Sequence, residues 1–255
     1  MQVEEGSRGP RGLFALSALA ILLLGFFAGF LALGTWQVHR LAWKRDLIAR
    51  VDQRVHAAPT PPPASAQWAQ ISPDANEYQH VHLEGNWLAD RQTLVWASTE
   101  QGNGYWVMTP LRLDNGNMVL INRGFAPGDW CVRHAKCAVE TSGRGSVIGL
   151  LRISQTHAFM RHNDPTAHRW YMRDVAAIAH AQRLEQVAPY FVDADAASAK
   201  ASSKGAEWPQ GGMTVIAFPN NHLTYLITWY LLALMVALAA AYVVREEYRL
   251  HRQTK

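Results

Sequence analysis

The sequence predicts two transmembrane α-helices flanking a mainly β (α+β) extramembrane domain, and three observations carry that prediction. An uncharged apolar run lies near each end of the chain, at 13–33 and 223–244. Each is about as long as a helix needs to cross a hydrocarbon core roughly 30 Å thick. Between the two, short β-like runs recur, separated by Gly, Pro and Asn turn chemistry. The composition excludes the competing classes: with 49% hydrophobic residues, a net charge of +4 and two cysteines, the chain is neither disordered nor a disulfide-built miniprotein.

A short tail at 1–12 precedes the first span, which is assigned to 13–34. A cleaved signal peptide is the competing reading, but its apolar core is shorter, about 7–15 residues, and ends in a small-x-small site. Here Trp36, Gln37 and Arg40 follow instead, which favours a retained anchor. Residues 35–64 form a stem and connector. Leu41, Leu47, Ile48, Val51 and Val55 recur at near-helical spacing, so the helix is expected to run on as an amphipathic stem until the prolines at 57–64 stop it. The second span is assigned to 220–244 and the basic tail to 245–255. Trp36, Trp43, Trp229 and Tyr230 stand where interfacial aromatics belong.

Orientation is argued from both ends. Arg245, Arg249, Arg252 and Lys255 follow the second span and favour a cytoplasmic C-terminus. Arg40, Lys44, Arg45 and Arg50 outnumber Arg8 and Arg11 about the first span and argue the other way. The connecting segment of about 190 residues translocates with little regard to charge, so both tails are expected inside and the large loop outside. These basic clusters make membrane lipid a partner. Nucleic acid is set aside, because no basic block gathers on the middle of the chain.

Residues 65–219 are read as the mainly β domain. Strands are expected at Tyr78–Glu84, Gln92–Trp96, Tyr105–Leu113, Met118–Phe125, Ser146–Ser154, Tyr190–Asp193 and Met213–Phe218. Turns are expected at 84–86, 101–104, 114–117 and 126–129. One helix is expected after Asp174, which can cap 175–186, and 194–207 reads as a small polar loop. Whether the strands close into a barrel is left open.

Several residues invite chemistry. Cys131 and Cys137 form a disulfide as the first expectation, with free thiols or a copper or zinc site shared with His134 as alternatives. His80 and His82 project from one strand face, and His157, His162 and His168 fall in an Asn/Asp/Pro loop; for all of these, solvent exposure is the simpler account. There is no phosphate loop, Gly-x-Ser-x-Gly elbow or His-Glu-x-x-His element, so no enzyme is expected. His222, at the start of the second span, shares a helix face with Tyr225 and Trp229. A neutral imidazole there can ligate haem iron, with Trp229 and Trp36 as aromatic neighbours and Arg40, Lys44 or Arg123 to meet propionates. The alternative is a histidine that rests at headgroup level.

Taken in order, the blocks LGTWQVHRLAWK (33–44), VHLEGNW (81–87), GYWVMTPL (104–111), VLINRGFAP (119–127), WYMRD (170–174) and NNHLTYLITWY (220–230) resemble the surfeit-locus-protein-one, or Shy-type, family of cytochrome c oxidase assembly factors. The resemblance implies a two-span protein with its domain on the outer side of a bacterial inner membrane or in the mitochondrial intermembrane space. It implies a non-enzymatic role in maturing haem-a-containing oxidase, with haem a as transient cargo, oxidase subunit I as recipient and a haem a synthase as a possible donor. The family's haem-associated histidine maps onto His222 and its nearby tryptophan onto Trp229. The chain departs from the family at Cys131–Cys137, in 194–207 and at His39, a candidate second ligand. A scaffold that never binds haem and a copper carrier using Cys131 and Cys137 are the alternatives.

Overall fold

The computed structural model describes residues 11–133, 143–156, 161–203, 206–214, 216 and 218–253. The expectations placed on His134, Cys137 and His157 lie outside them. The chain divides into two compact units, Met1–Ala49 with Ala217–Lys255, and Arg50–Ile216.

In the first unit, α1 (Leu13–His56) begins with the first apolar run and continues through the stem, as its unbroken helical spacing requires. Its partner is the C-terminal helix, His222–Gln253. Both are long and apolar enough to cross a membrane. They meet through small residues. A Cβ added at Gly34 would lie 3.0 Å from the Tyr230 ring, and Ala233 is buried. Small residues at such seams let backbones approach closely enough for dispersion to hold them, since lipid removes the hydrophobic drive between helices. Phe30 stacks on Trp229 with ring centroids 5.7 Å apart, and the Thr35 and Tyr230 hydroxyls share a 3.3 Å hydrogen bond. Near the other end, Arg11 and the buried Glu247 pair at 2.9 Å.

In the second unit the stem's end is held by Arg54, which donates to the carbonyls of Asp74 and Glu77 around α2 (Pro73–Asn76). The proline connector docks beside β1 (His80–Trp87): Thr60 N donates to His80 O and His82 N to Thr60 O. Four strands follow: β2 (Thr93–Thr99), β3 (Gly102–Leu113), β4 (Met118–Pro127) and β5 (Arg144–Ile153). The last, β6 (Val187–Ala194), runs parallel to β4. Their order is β1-β5-β6-β4-β3-β2, and β1 also pairs with β3 through Gly85–Trp87, so five strands close into a barrel with β2 attached outside. Val81, Leu83, Leu111, Ile121, Leu151 and Val192 fill its interior. Every residue of β4 from Met118 to Ala126 is buried, because its outer face is also covered. That cover is α4 (Val175–Ala181), whose Val175 and Ile178 pack with Leu120 and Phe191. Burial on both faces gives β4 the unbroken apolar stretch Met118–Ile121, as it does in parallel sheets, before Asn122 and Arg123 bring buried polar groups.

Four expectations are corrected. Residues 84–86 are not a turn: they lie within β1, and Gly85 is required because a Cβ would overlap the Arg112 carbonyl of the closing strand. Residues 126–129 lead into a short helix, α3 (Gly128–Arg133), instead of reversing a hairpin. Residues 194–207 are not simply a loop, since Asp195 caps α5 (Ala196–Ser202) by accepting from Ser198 N, and its alanines favour helix. The described residues of Met213–Phe218 form no strand. The cap at Asp174 is present, its carboxylate accepting from Ala177 N at 3.1 Å. Asp174→Ala is expected to cost about 1 kcal/mol of stability in denaturant unfolding, the usual worth of such a cap.

Candidate functional site

The site is built at the start of the second long helix, now labelled α6 (His222–Gln253). Asn221 occupies its N-cap place through its backbone carbonyl, which accepts from Tyr225 N, while Asn220 Oδ1 is buried without a donor among the described residues. His222 is half-buried, and its Nδ1–H donates to Gln37 Oε1 at 2.8 Å. Gln37 is only 7% exposed, on the α1 face that also buries Gly34 and Leu41. These three positions are spaced i, i+3, i+7, the stripe that faces a neighbouring helix. With Nδ1 committed as donor, the lone pair of a neutral imidazole is left on Nε2, the arrangement of a metal-ligating histidine.

The other sequence-predicted residues are placed as follows. Trp229 lies two turns into α6 against Phe30. Trp36 and Tyr225 are exposed aromatics, each with more than half its surface open. Arg40 stacks on Trp43, its guanidinium carbon 3.9 Å from the ring centroid, and Lys44 Nζ lies 5.0 Å from the centre of the Phe218 ring. Neither cation has an ion-pair partner among the described residues, so both keep their charge available to an anion. His39 is exposed on α1; it is Gln37, two residues earlier, that reaches His222.

Arg123 belongs to the barrel unit and is fully buried there. It donates to Ser202 O at 2.8 Å and to Ser202 Oγ at 3.2 Å, with the Trp87 ring 5.5 Å away, and its Nη1 has no acceptor among the described residues. Burial lowers its pKa to about 10, which leaves it charged at neutral pH. So enclosed, this guanidinium offers nothing to a porphyrin carboxylate at the surface.

The remaining candidates are engaged in simple contacts. His80 Nδ1 pairs with Ala57 O and His82 Nε2 with Ser146 Oγ, both at 2.8 Å. No group of three or more His, Cys, Asp or Glu suited to a metal occurs among the described residues. Cys131 is buried on α3 and disulfide-bonded, so it is not a thiolate ligand.

The residue that sequence reasoning missed is Gln37. Its signal was present: a polar side chain three residues after Gly34 and four before Leu41, on the face of a membrane helix that packs against another.

The family model described as the SURF1 family matches residues 24–234. A SURF1-like protein of Monosiga brevicollis is 31% identical over 243 residues, covering 89% of this chain and 86% of that protein. Surfeit locus protein 1 of Homo sapiens is 31% identical over 218 residues, 78% of this chain and 68% of that protein. The Takifugu rubripes protein of the same name is 29% identical over 232 residues, covering 84% and 92%.

Proposed function

The chain belongs to the SURF1 family of cytochrome oxidase assembly factors, and we propose that it binds haem a at the outer membrane interface through His222 and assists its insertion into oxidase subunit I. The observation that carries this reading is the hydrogen bond from His222 Nδ1–H to the buried Gln37, which leaves Nε2 free to ligate. Haem a supplies the iron and two propionates. Arg40 and Lys44 are the cations suited to hold the propionates, and Trp229, Trp36 and Tyr225 give the site its aromatic surroundings. The role is non-catalytic, that of a carrier, with a haem a synthase as supplier.

We place both tails on the cytoplasmic side of a bacterial inner membrane and the β domain on the periplasmic side. Support comes from Arg245, Arg249 and Arg252 beyond the second span, while the relatives named above are eukaryotic. Protease accessibility in sealed vesicles checks the placement: a β domain cleaved only from the cytoplasmic face overturns it.

The reading is tested by expressing the full chain in cells that make haem a and recording the absorption spectrum of the purified protein. Wild type is expected to co-purify with haem a, and His222→Ala to lose at least tenfold in occupancy while remaining membrane-inserted. Equal occupancy in the variant overturns the ligand assignment. A colourless wild type that still supports oxidase assembly assigns the scaffold role instead. Copper delivery through Cys131 and Cys137 is disfavoured by the disulfide at Cys131.

A further inference from the structure

The imidazole of His222 can carry its single neutral-state proton on either ring nitrogen, and only one of the two tautomers presents Nε2 as a ligand atom. We infer that Gln37 is a positioning residue, selecting the Nδ1–H tautomer of His222 and fixing the ring so that Nε2 faces an incoming haem. This rests on the reading of His222 as the iron ligand. Gln37 lies 185 residues away in the sequence, and its Oε1 accepts from Nδ1 at 2.8 Å.

The physical case is cumulative. Gln37 is nine-tenths buried, so its amide is not exchanging freely with water, and a buried carbonyl oxygen without a donor costs about 1–3 kcal/mol. The donor that meets this requirement is Nδ1–H of His222. The residue's surroundings fix it as well: Gly34, one turn earlier, abuts Tyr230, and Leu41, one turn later, is buried on the same face. The amide is therefore enclosed at both ends of its turn, against α6 at Gly34 and by the burial of Leu41. An acceptor on Nδ1–H also raises the basicity of Nε2, which strengthens its bond to iron. A glutamine supplies the acceptor without a full charge, which suits a site at the edge of the membrane, where a carboxylate is costly.

Two measurements on the full-length protein in detergent micelles test the inference. The first uses no haem. In ¹⁵N-labelled apoprotein near pH 8, the two His222 ring nitrogens are expected to show the Nδ1-protonated pattern, and in Gln37→Leu that preference is expected to vanish. An Nε2-protonated His222 in wild type, or an unchanged pattern in Gln37→Leu, overturns the inference. The second measurement titrates ferric protoporphyrin IX haem by absorption. Gln37→Leu is expected to weaken binding by about 10–100-fold, the usual effect of removing an outer-shell partner.

Gln37→Glu keeps an acceptor in place and is expected to retain wild-type affinity, with the iron reduction potential moved in the negative direction. A residue that merely packs would behave the opposite way, tolerating the apolar leucine and suffering from the carboxylate, and that pattern overturns the inference. If His222→Ala binds haem as wild type does, the ligand reading fails. If His222→Ala loses binding while Gln37→Leu keeps it, the positioning role alone fails.

Discussion

Asp193→Ala is expected to destabilise the β domain by about 3–5 kcal/mol, the cost of removing one partner from a buried ion pair. Asp193 sits near the end of β6 with its side chain almost fully enclosed, and it accepts four hydrogen bonds. The donors are Asn122 Nδ2 at 2.7 Å, Arg152 Nη1 at 2.9 Å, Arg173 Nη1 at 3.1 Å and Thr214 Oγ1 at 2.9 Å. Two guanidiniums thus share one carboxylate. Arg152 has a second anion, Glu77, at 2.8 Å, whereas Arg173 donates its second side-chain hydrogen bond to the neutral Gln155 and lies over the Phe191 ring. Burial already pulls the pKa of Arg173 down and Asp193 opposes that pull, so truncation leaves Arg173 with desolvation, the like charge of Arg152 and only the weaker attraction of Glu77 to offset them.

Asp193→Asn keeps the shape but not the charge, and turns an amide donor toward an arginine, so it is expected to lose most of the same stability. Asn122→Ala removes the donor to Asp193 and the acceptor of Gly124 N but no charge, and is expected to cost about 1–3 kcal/mol. Urea unfolding of the full chain in detergent, followed by tryptophan fluorescence, checks the series. An Asp193→Asn midpoint close to wild type would show that the charge contributes little and that packing alone holds this cluster.

How much of this was legible in the sequence depended on whether the signal was local. The two apolar runs and the stem follow from unbroken runs of spacing and charge, and α1 and α6 contain them, α6 running on to Gln253. The cap at Asp174 and the reversal at 114–117, where Gly116 takes φ +85° and Leu113 N bonds Asn117 O, need only neighbouring residues. Barrel closure does not. It depends on β1 meeting β3 at Gly85↔Leu113, and nothing around Gly85 distinguishes a close backbone approach from a turn. In 194–207 small residues have the composition of a loop, and it is the capping Asp195 that makes the alanines after it helical. At the candidate site, His222 stood out by its place at the head of an apolar run. Gln37 carries no such local signal, because its partner His222 is 185 residues along the chain.

Gly124→Ala is expected to cost roughly 2–4 kcal/mol, placing it among the damaging single-methyl additions. Two penalties combine. Gly124 holds φ +121° within β4, a conformation that L residues rarely adopt, and an added Cβ would overlap the Gln210 carbonyl oxygen. That oxygen cannot yield cheaply, because Gln210 and Phe125 exchange two backbone hydrogen bonds of 2.9 Å each. Moving it would break this bridge and loosen the segment that carries Thr214, a donor to Asp193. Gly116→Ala separates the two penalties. There φ is also positive, at +85°, but the nearest atom to a new Cβ is the flexible Gln186 Oε1 at 3.7 Å. Its cost is expected to be the conformational part alone, about 1–2 kcal/mol. If denaturant unfolding gave the two variants equal losses, the Phe125–Gln210 bridge would be yielding freely, and it could not be what fixes the 206–214 segment against the barrel.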